Sequence, residues 1–383
     1  MLGLGGIGSG AAYHLSRRAG SDVVGLERFE MGHGFGASED HSRIIRRSYH
    51  TPGYVRLAGA AYDAWAEVEG DLGEPLIMRT GGLDLWPEGA AIPMEDYVAS
   101  LRACDVGFEE LDAAEIMRRW PQWRLADDVR GLFQSDGGIA PASTCNTAHR
   151  RLASQHGGEL RDRSRVTAIR DEGGEIELEI EGGERFRCER LVVAADAWTN
   201  DVLAMLDAPP LPLTITKEQV VYVGPAEGDE FGPERFPVWI WMDDPSFYGF
   251  PVFGDQAPKV GQDVGGRRLE HPEERGEDPD REALARVQSF LREHLPGAAG
   301  PVRSIRPCCY TMPPDRDFVV DAVPGHPNVL VILGAAHGFK FASLLGRIAA
   351  DLVIDGSTEH DLAPFAFDRP ALLSAEESTS FLI

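Results

Sequence analysis

Lysine is nearly absent from this chain. Of the 37 basic side chains, three are lysines, at positions 217, 259 and 340, and arginine supplies the rest. Long apolar runs are missing too: nothing approaches the ~20 residues that span a bilayer, and the N-terminus lacks the charged-then-apolar pattern of a signal peptide. A cytoplasmic protein without a membrane partner is expected. Cysteine is sparse, with five residues at 104, 145, 188, 308 and 309 and neither a C-x-x-C pair nor zinc spacing. No disulfide framework and no metal site are therefore expected, and the thiols should be reduced.

Positive charge is in short supply overall. With 62 acidic against 37 basic side chains the formal net charge is -25. A surface this acidic repels phosphate backbones and anionic lipids, which argues against nucleic-acid partners. Acidity with so little lysine fits a salt-adapted chain, in which salt screens self-repulsion. A GC-rich genome would explain arginine for lysine equally well, but not the acidity.

What is present is a globular composition, 43% hydrophobic and 26% charged, in 383 residues. That length exceeds one compact core, so two domains are expected. The first thirty residues read as glycine turn, helix, strand. Gly3-Leu4-Gly5-Gly6-Ile7-Gly8 fits G-x-G-x-x-G, the stretch from about Ser9 to Ala19 has helical spacing, and Val23 to Leu26 is a short buried strand ending in Glu27. Glycines there let backbone N–H groups and a helix N-terminus approach a pyrophosphate, and an acidic residue about 20 positions on accepts a ribose hydroxyl. With 43 glycines in the chain the motif alone is weak; helix, strand and Glu27 in sequence make it a dinucleotide site.

One feature departs from the pattern. A strand of about five residues should precede the first glycine, and here Met1 and Leu2 alone do so. Either the true start lies upstream, the favoured reading, or the central strand is truncated, which would weaken cofactor binding. Further along, a charged β-ribbon at about 165–187 precedes the apolar run 191–195, read as another strand of the same sheet. A third apolar strand, Val329 to Leu333, runs through a turn into a helix beginning near Ala342. The nucleotide-binding domain is thus expected to be discontinuous, from 1–78, 142–210 and 312–383. Segments 79–141 and 211–311, rich in Trp, Phe, Pro and Met, would form a second domain over the cofactor. Residues 265–283 read as an acidic surface loop.

Four patches narrow the reading: Ser42-Arg43-Ile44-Ile45-Arg46, Tyr248-Gly249-Phe250-Pro251, Cys308-Cys309-Tyr310-Thr311 and His337-Gly338-Phe339-Lys340. Their order and spacing resemble the monomeric sarcosine oxidase and N-methyltryptophan oxidase family. The similarity runs the length of the chain, through Arg118-Arg119-Trp120-Pro121 to Arg369-Pro370-Ala371-Leu372. The resemblance implies a Rossmann-like α/β FAD-binding domain with a second, mostly antiparallel-sheet substrate domain. It also implies FAD held covalently through the cysteine of C-x-Y-T, here Cys308 with Cys309 as a one-residue rival. Arg28, Ser42, Arg43, Val166, Gly338 and Phe339 fall on cofactor-binding positions, with Arg43 close to the flavin.

In that family Arg46 and Lys340 match the pair that grips the substrate carboxylate, a fit for charge-assisted bonds from two directions. Tyr248, Tyr310 and His337 line the substrate side. Lys259 matches the lysine credited with activating oxygen, where a cation stabilises developing negative charge. In a chain that has replaced lysine almost everywhere, survivors should mark places that need a compact ammonium, and two of the three fall on motif positions. The pattern breaks at Asp263, where the sarcosine oxidases carry histidine, and at Asp196, the glycine of a G-A-W turn. The first puts sarcosine itself in doubt and could favour a more basic or larger amine. The implied activity is oxidation of an N-methyl amino acid with oxygen as acceptor, by a monomer. Rivals are an amino-acid or cyclic imino-acid dehydrogenase or oxidase of the same fold, and an inactive flavin-binding protein.

Overall fold

In a computed structural model, described for residues 1–224, 229–255 and 257–374, the glycine turn opens directly into a helix, Gly6–Ala19. It begins earlier than the spacing predicts because Gly5, in extended conformation, serves as its N-cap without any side-chain bond. Small residues Gly8, Ser9, Gly10, Ala11 and Ala12 are buried along it, which lets the helix Ala342–Ile354 approach closely. A methyl added at Gly346 would meet Gly10 C at 2.3 Å, and one at Gly10 would meet Ala342 O at 2.6 Å. Backbone against backbone has little freedom to yield. Gly346→Ala is therefore expected to destabilise the fold by about 1–3 kcal/mol, read as a lower denaturation midpoint at unchanged slope. Gly59→Ala, within the helix Pro52–Leu72 and with nothing within 4 Å of the added methyl, is expected to be neutral or stabilising by up to about 1 kcal/mol.

The glycine helix packs on a sheet that is parallel at its centre, with Val319–Val323 antiparallel to His326–Leu333 at one side. Val24–Leu26 pairs in parallel with Glu159–Arg161, and Leu191–Val193 pairs in parallel with His326–Leu333. Leu2 forms parallel bridges to both Leu26 and Val193. Its N–H donates to Val192 O at 2.8 Å, and Gly3 N–H donates to Leu26 O at 2.9 Å. The two residues before the glycines thus occupy the central position and join the halves of the sheet. The ribbon near 165–187 forms an antiparallel sheet of its own, Val166–Asp171, Ile176–Ile180 and Arg185–Cys188.

The second domain is built on a nine-stranded sheet. It is antiparallel except where Val238–Trp241 runs parallel to Gly82–Trp86. Its longest pairing joins Thr214–Val223 to Val302–Met312. Side chains alternate along a strand, so Cys308 and Tyr310 share one face while Cys309 and Thr311 share the other. The 265–283 segment is more ordered than a surface loop. Arg267–Leu269 pairs with Thr214–Val223, and Arg275 is buried, donating to Gly34 O at 2.7 Å and Pro307 O at 2.9 Å. A run of charges hid one arginine that ties two carbonyls together. Among the described residues no helix is long and apolar enough to cross a membrane, and no His, Cys, Asp and Glu cluster could hold a metal ion.

Candidate active site

A cavity of about 550 Å3 runs from the glycine turn to the nine-stranded sheet, within the usual range for small-molecule sites. At one end it is lined by Gly3, Gly5, Gly6, Ile7, Glu27, Arg28 and Val166. Arg43, Gly338 and Phe339 also line it, as do Arg46, Tyr248, Lys259, Cys308, Tyr310, His337 and Lys340. Of the residues the sequence singled out for the site, Gly8 and Ser42 lie behind the wall. A methyl on Gly8 would meet Gly3 O at 2.0 Å, so its smallness serves the turn's packing. Ser42 is buried and faces Lys259.

The nucleotide end is shaped by backbone. Gly3 sits at φ +84°, and a methyl there would meet Ala194 O at 2.4 Å, so no other residue fits. The uncapped N-terminus of Gly6–Ala19 has free amides and a positive dipole end, the requirement for a pyrophosphate. Glu27 accepts from Leu4 N at 2.8 Å and Phe29 N at 3.0 Å, with His33 Nε2 at 3.3 Å. Burial opposes its charge, but His33 and the two amides outweigh that and hold its pKa below the usual carboxylate range. Three donors leave about one of the carboxylate's four lone-pair directions for a ribose hydroxyl. Arg28 pairs with Glu273 and lies over the rings of Phe29 and Trp198, 5.1 and 5.6 Å from their centroids. Asp196 takes φ +46°, the left-handed region a glycine enters freely, and burial pushes its carboxyl up to about 6.

The other end holds an uneven set of cations. Arg46 donates to Asp84 Oδ2 at 3.2 Å and lies 4.9 Å from the Tyr49 ring centroid. Burial alone would weaken its hold on the proton; the Asp84 carboxylate outweighs this and raises its pKa. Arg316 donates to Asp263 at 3.1 and 3.4 Å. Asp263 is thus salt-bridged to a neighbouring arginine, and both side chains line the cavity. Lys340 differs: among the described residues its Nζ makes no hydrogen bond and no ion pair, with the Tyr49 ring 5.9 Å away. Burial, then Arg46 beside it, lowers its pKa to about 7.

His337 is kept neutral chiefly by burial and then by Lys340. Its Nε2 lies 3.0 Å from Arg316 O. A carbonyl can only accept, so Nε2 carries the proton. The histidine thereby braces the turn that carries Arg316. Tyr248 and Tyr310 hydroxyls meet at 3.3 Å. Cys308 faces the cavity, and burial pushes its thiol up to about 11. Cys309 is fully buried with Ala197 and Leu269 on the opposite face. Lys259 is 2% exposed, with Nζ 2.7 Å from Ser42 O and 2.6 Å from Asp40 Oδ2. Arg43 donates to the carbonyls of Ser42, Ala37 and Glu39. Asp40, Asp84 and Arg316 belong to no motif; the one signal available was Asp84, a charge inside the apolar strand Gly82–Trp86.

A glycine turn, an uncapped helix end and a parallel sheet, with a long cavity leading under an antiparallel sheet, define a two-domain dinucleotide-binding oxidoreductase. The chain belongs to the FAD dependent oxidoreductase family, whose model matches residues 2–352. It is 28% identical to the monomeric sarcosine oxidase of Bacillus sp. (strain B-0618), over 99% of this chain and 98% of that protein. It is 31% identical to the N-methyl-L-tryptophan oxidase of Salmonella agona (strain SL483), over 96% of this chain and 98% of that one. Among solved structures it is similar to NikD, an unusual amino acid oxidase essential for nikkomycin biosynthesis, with 26% identity, a TM-score of 0.84 and 95% of each chain covered. L-Proline dehydrogenase from P. horikoshii shares the fold at a TM-score of 0.86 and 19% identity, over 98% of each chain. The glycine cradle and helix end fit FAD, and the enzyme is an FAD-dependent oxidoreductase.

Proposed function

We propose that this chain oxidises the C–N bond of an N-methylated or other secondary amino acid to an imine, with oxygen as the acceptor. The imine hydrolyses to amino acid and aldehyde, and oxygen leaves as hydrogen peroxide. The observation that carries this reading is Lys340, a cavity-lining lysine whose Nζ makes no hydrogen bond and no ion pair among the described residues. We further propose that Cys308 anchors the cofactor, and that 1–78, 142–210 and 312–383 form the FAD domain and 79–141 with 211–311 the substrate domain.

FAD, when bound, supplies the two-electron acceptor; the chain's residues do the rest. Lys340 takes the substrate carboxylate, with Arg46 beside it already neutralised by Asp84. The cationic, desolvated surroundings favour the neutral amine, the form that gives up electrons. Tyr248 and Tyr310 wall the reacting carbon, and Lys259 offers a fixed ammonium to the charge that develops on oxygen.

Oxygen uptake, peroxide and formaldehyde measured over sarcosine, N-methyltryptophan, proline and pipecolate test the reading. Uptake with formaldehyde from an N-methyl substrate supports it. Dye reduction without oxygen uptake would mark a dehydrogenase instead.

A carboxylate ligand also stabilises the protonated form of Lys340, so binding should consume a proton above pH 7. Affinity is then highest below about 7 and falls by up to tenfold per pH unit as the free enzyme's lysine loses its charge. Lys340→Met should raise KM by about 10–100-fold, the worth of a charge-assisted bond, and flatten that pH dependence. Calorimetry of N,N-dimethylglycine binding in buffers of different ionisation enthalpy reads the proton uptake directly.

A further inference from the structure

Three carboxylates sit against cations of this cavity: Asp84 on Arg46, Asp263 on Arg316 and Asp40 on Lys259. Asp40 stands apart because its backbone is held at φ +106°, in the region that favours glycine. Such a conformation persists in a non-glycine residue only where the surroundings over-determine it. Here Ser143 N and Oγ donate to Asp40 O at 3.1 and 2.9 Å. The Tyr222 hydroxyl donates to Oδ1 at 2.7 Å, and Arg306 donates to the same oxygen. Arg306 is itself held by Asp255 at 2.8 Å, whose carboxylate lies 3.2 Å from His41 near the surface. Everything about the residue fixes its second oxygen, Oδ2, 2.6 Å from the Lys259 ammonium.

A buried ammonium loses its proton unless an anion faces it. Burial, then Arg43, lowers the Lys259 pKa to about 8, and Asp40 is the group that works most against them. Arg43 on Arg43–Ile45 has one guanidinium nitrogen 3.8 Å from Asp40, the Cys308 thiol on Val302–Met312 acts electrostatically on the lysine, and the Phe250 ring centroid is 4.7 Å from Nζ. Tyr222 and Arg306 reach Asp40 and not the lysine. No other carboxylate among the described residues pairs with Lys259.

We propose that Asp40 is the positioning residue of Lys259, holding it protonated and pinned against the Ser42 carbonyl so that its charge is in place when oxygen is reduced. This rests on the oxygen-side role given to Lys259 above. The loop 37–42 holds Arg43 through the Ala37 and Glu39 carbonyls and, at the left-handed Asp40, turns a carboxylate onto Lys259.

The scarcity of lysine makes the test direct. With three lysines in the chain, protein carrying 13C at the lysine ε carbon gives three signals, assigned by replacing each lysine in turn. Their pH titrations are followed in the FAD-loaded enzyme and in the apoprotein, for wild type, Asp40→Asn and Asp40→Gly. Asn tolerates positive φ and Gly prefers it, so neither variant adds backbone strain; Tyr222→Phe, which keeps the carboxylate, adds a milder step. The Lys259 signal is expected to titrate at least one pH unit lower in both Asp40 variants, with the Lys340 signal unmoved. Stopped-flow re-oxidation by oxygen should lose its rate at correspondingly lower pH. A Lys259 titration unchanged by Asp40→Gly overturns the proposal while leaving the lysine's own role standing. A titration that moves while the re-oxidation profile stays put also overturns it, and there the fault lies with the oxygen-side role of Lys259.

Discussion

Enzyme carrying Cys308→Ala is expected to release all its flavin to the supernatant on acid precipitation, whereas Cys309→Ala stays yellow in the pellet. Both residues lie in Val302–Met312, one position apart, so the period of a strand sends them to opposite faces. Cys308 points with Tyr310 into the cavity, and Cys309 is buried in a small cluster with Ala197 and Leu269. Losing the second thiol should therefore cost about 1 kcal/mol of packing and nothing of the cofactor bond. Burial pushes the Cys308 thiol up to about 11, with Arg43 the leading cation pulling against it. The thiolate is the nucleophile, so attachment of added FAD to apoprotein should run faster at pH 9 than at pH 7. Removing Arg43 should slow it. Colour that leaves with Cys309→Ala and stays with Cys308→Ala would mean the strand sits one residue out of the register described here.

The difference between these two cysteines was not legible in the sequence, where they are simply adjacent. What could be read was whatever chemistry forces into a short stretch. The glycine turn, the helix and Glu27 lie within one supersecondary unit, so spacing alone places them. Lys259 and Lys340 stood out because the chain has almost no lysine to spare, and both line the cavity, while Lys217 bonds Asp278 O away from it. The counter-charges were hidden for the opposite reason. Asp40 meets a lysine at position 259, Asp84 an arginine at 46 and Asp263 an arginine at 316. Such pairs are made by the fold, across strands and loops, and no local pattern announces them. Asp263 shows the consequence. Read alone, it is a carboxylate with no visible partner; in place, it lines the cavity with Arg316 bonded to it at 3.1 Å. Gly8 and Ser42 carry the converse lesson, since a motif position can lie behind the wall of a cavity that its neighbours line.

Lys259→Met should slow re-oxidation by oxygen about 10²–10³-fold, the usual cost of removing one preorganised electrostatic group, with anaerobic reduction by substrate far less affected. Methionine keeps the length and apolar body of the side chain, so what is lost is charge. The loss has a second consequence on the other side of the ion pair. The Asp40 carboxylate, 8% exposed, would keep its Tyr222 and Arg306 donors but lose the ammonium at 2.6 Å. A buried charge deprived of its partner is expensive, and stability should drop accordingly. Adding Asp40→Asn to Lys259→Met should recover much of that stability, because the orphaned charge is gone, yet leave oxygen reactivity as low as before. Stability and oxygen reactivity would then separate in one double-mutant cycle. Lys340→Met must show the opposite division: weaker substrate binding and slower reduction, with re-oxidation nearly intact. If Lys259→Met instead abolished reduction and spared re-oxidation, the two lysines would have to exchange roles, and Lys340 would become the group that oxygen meets.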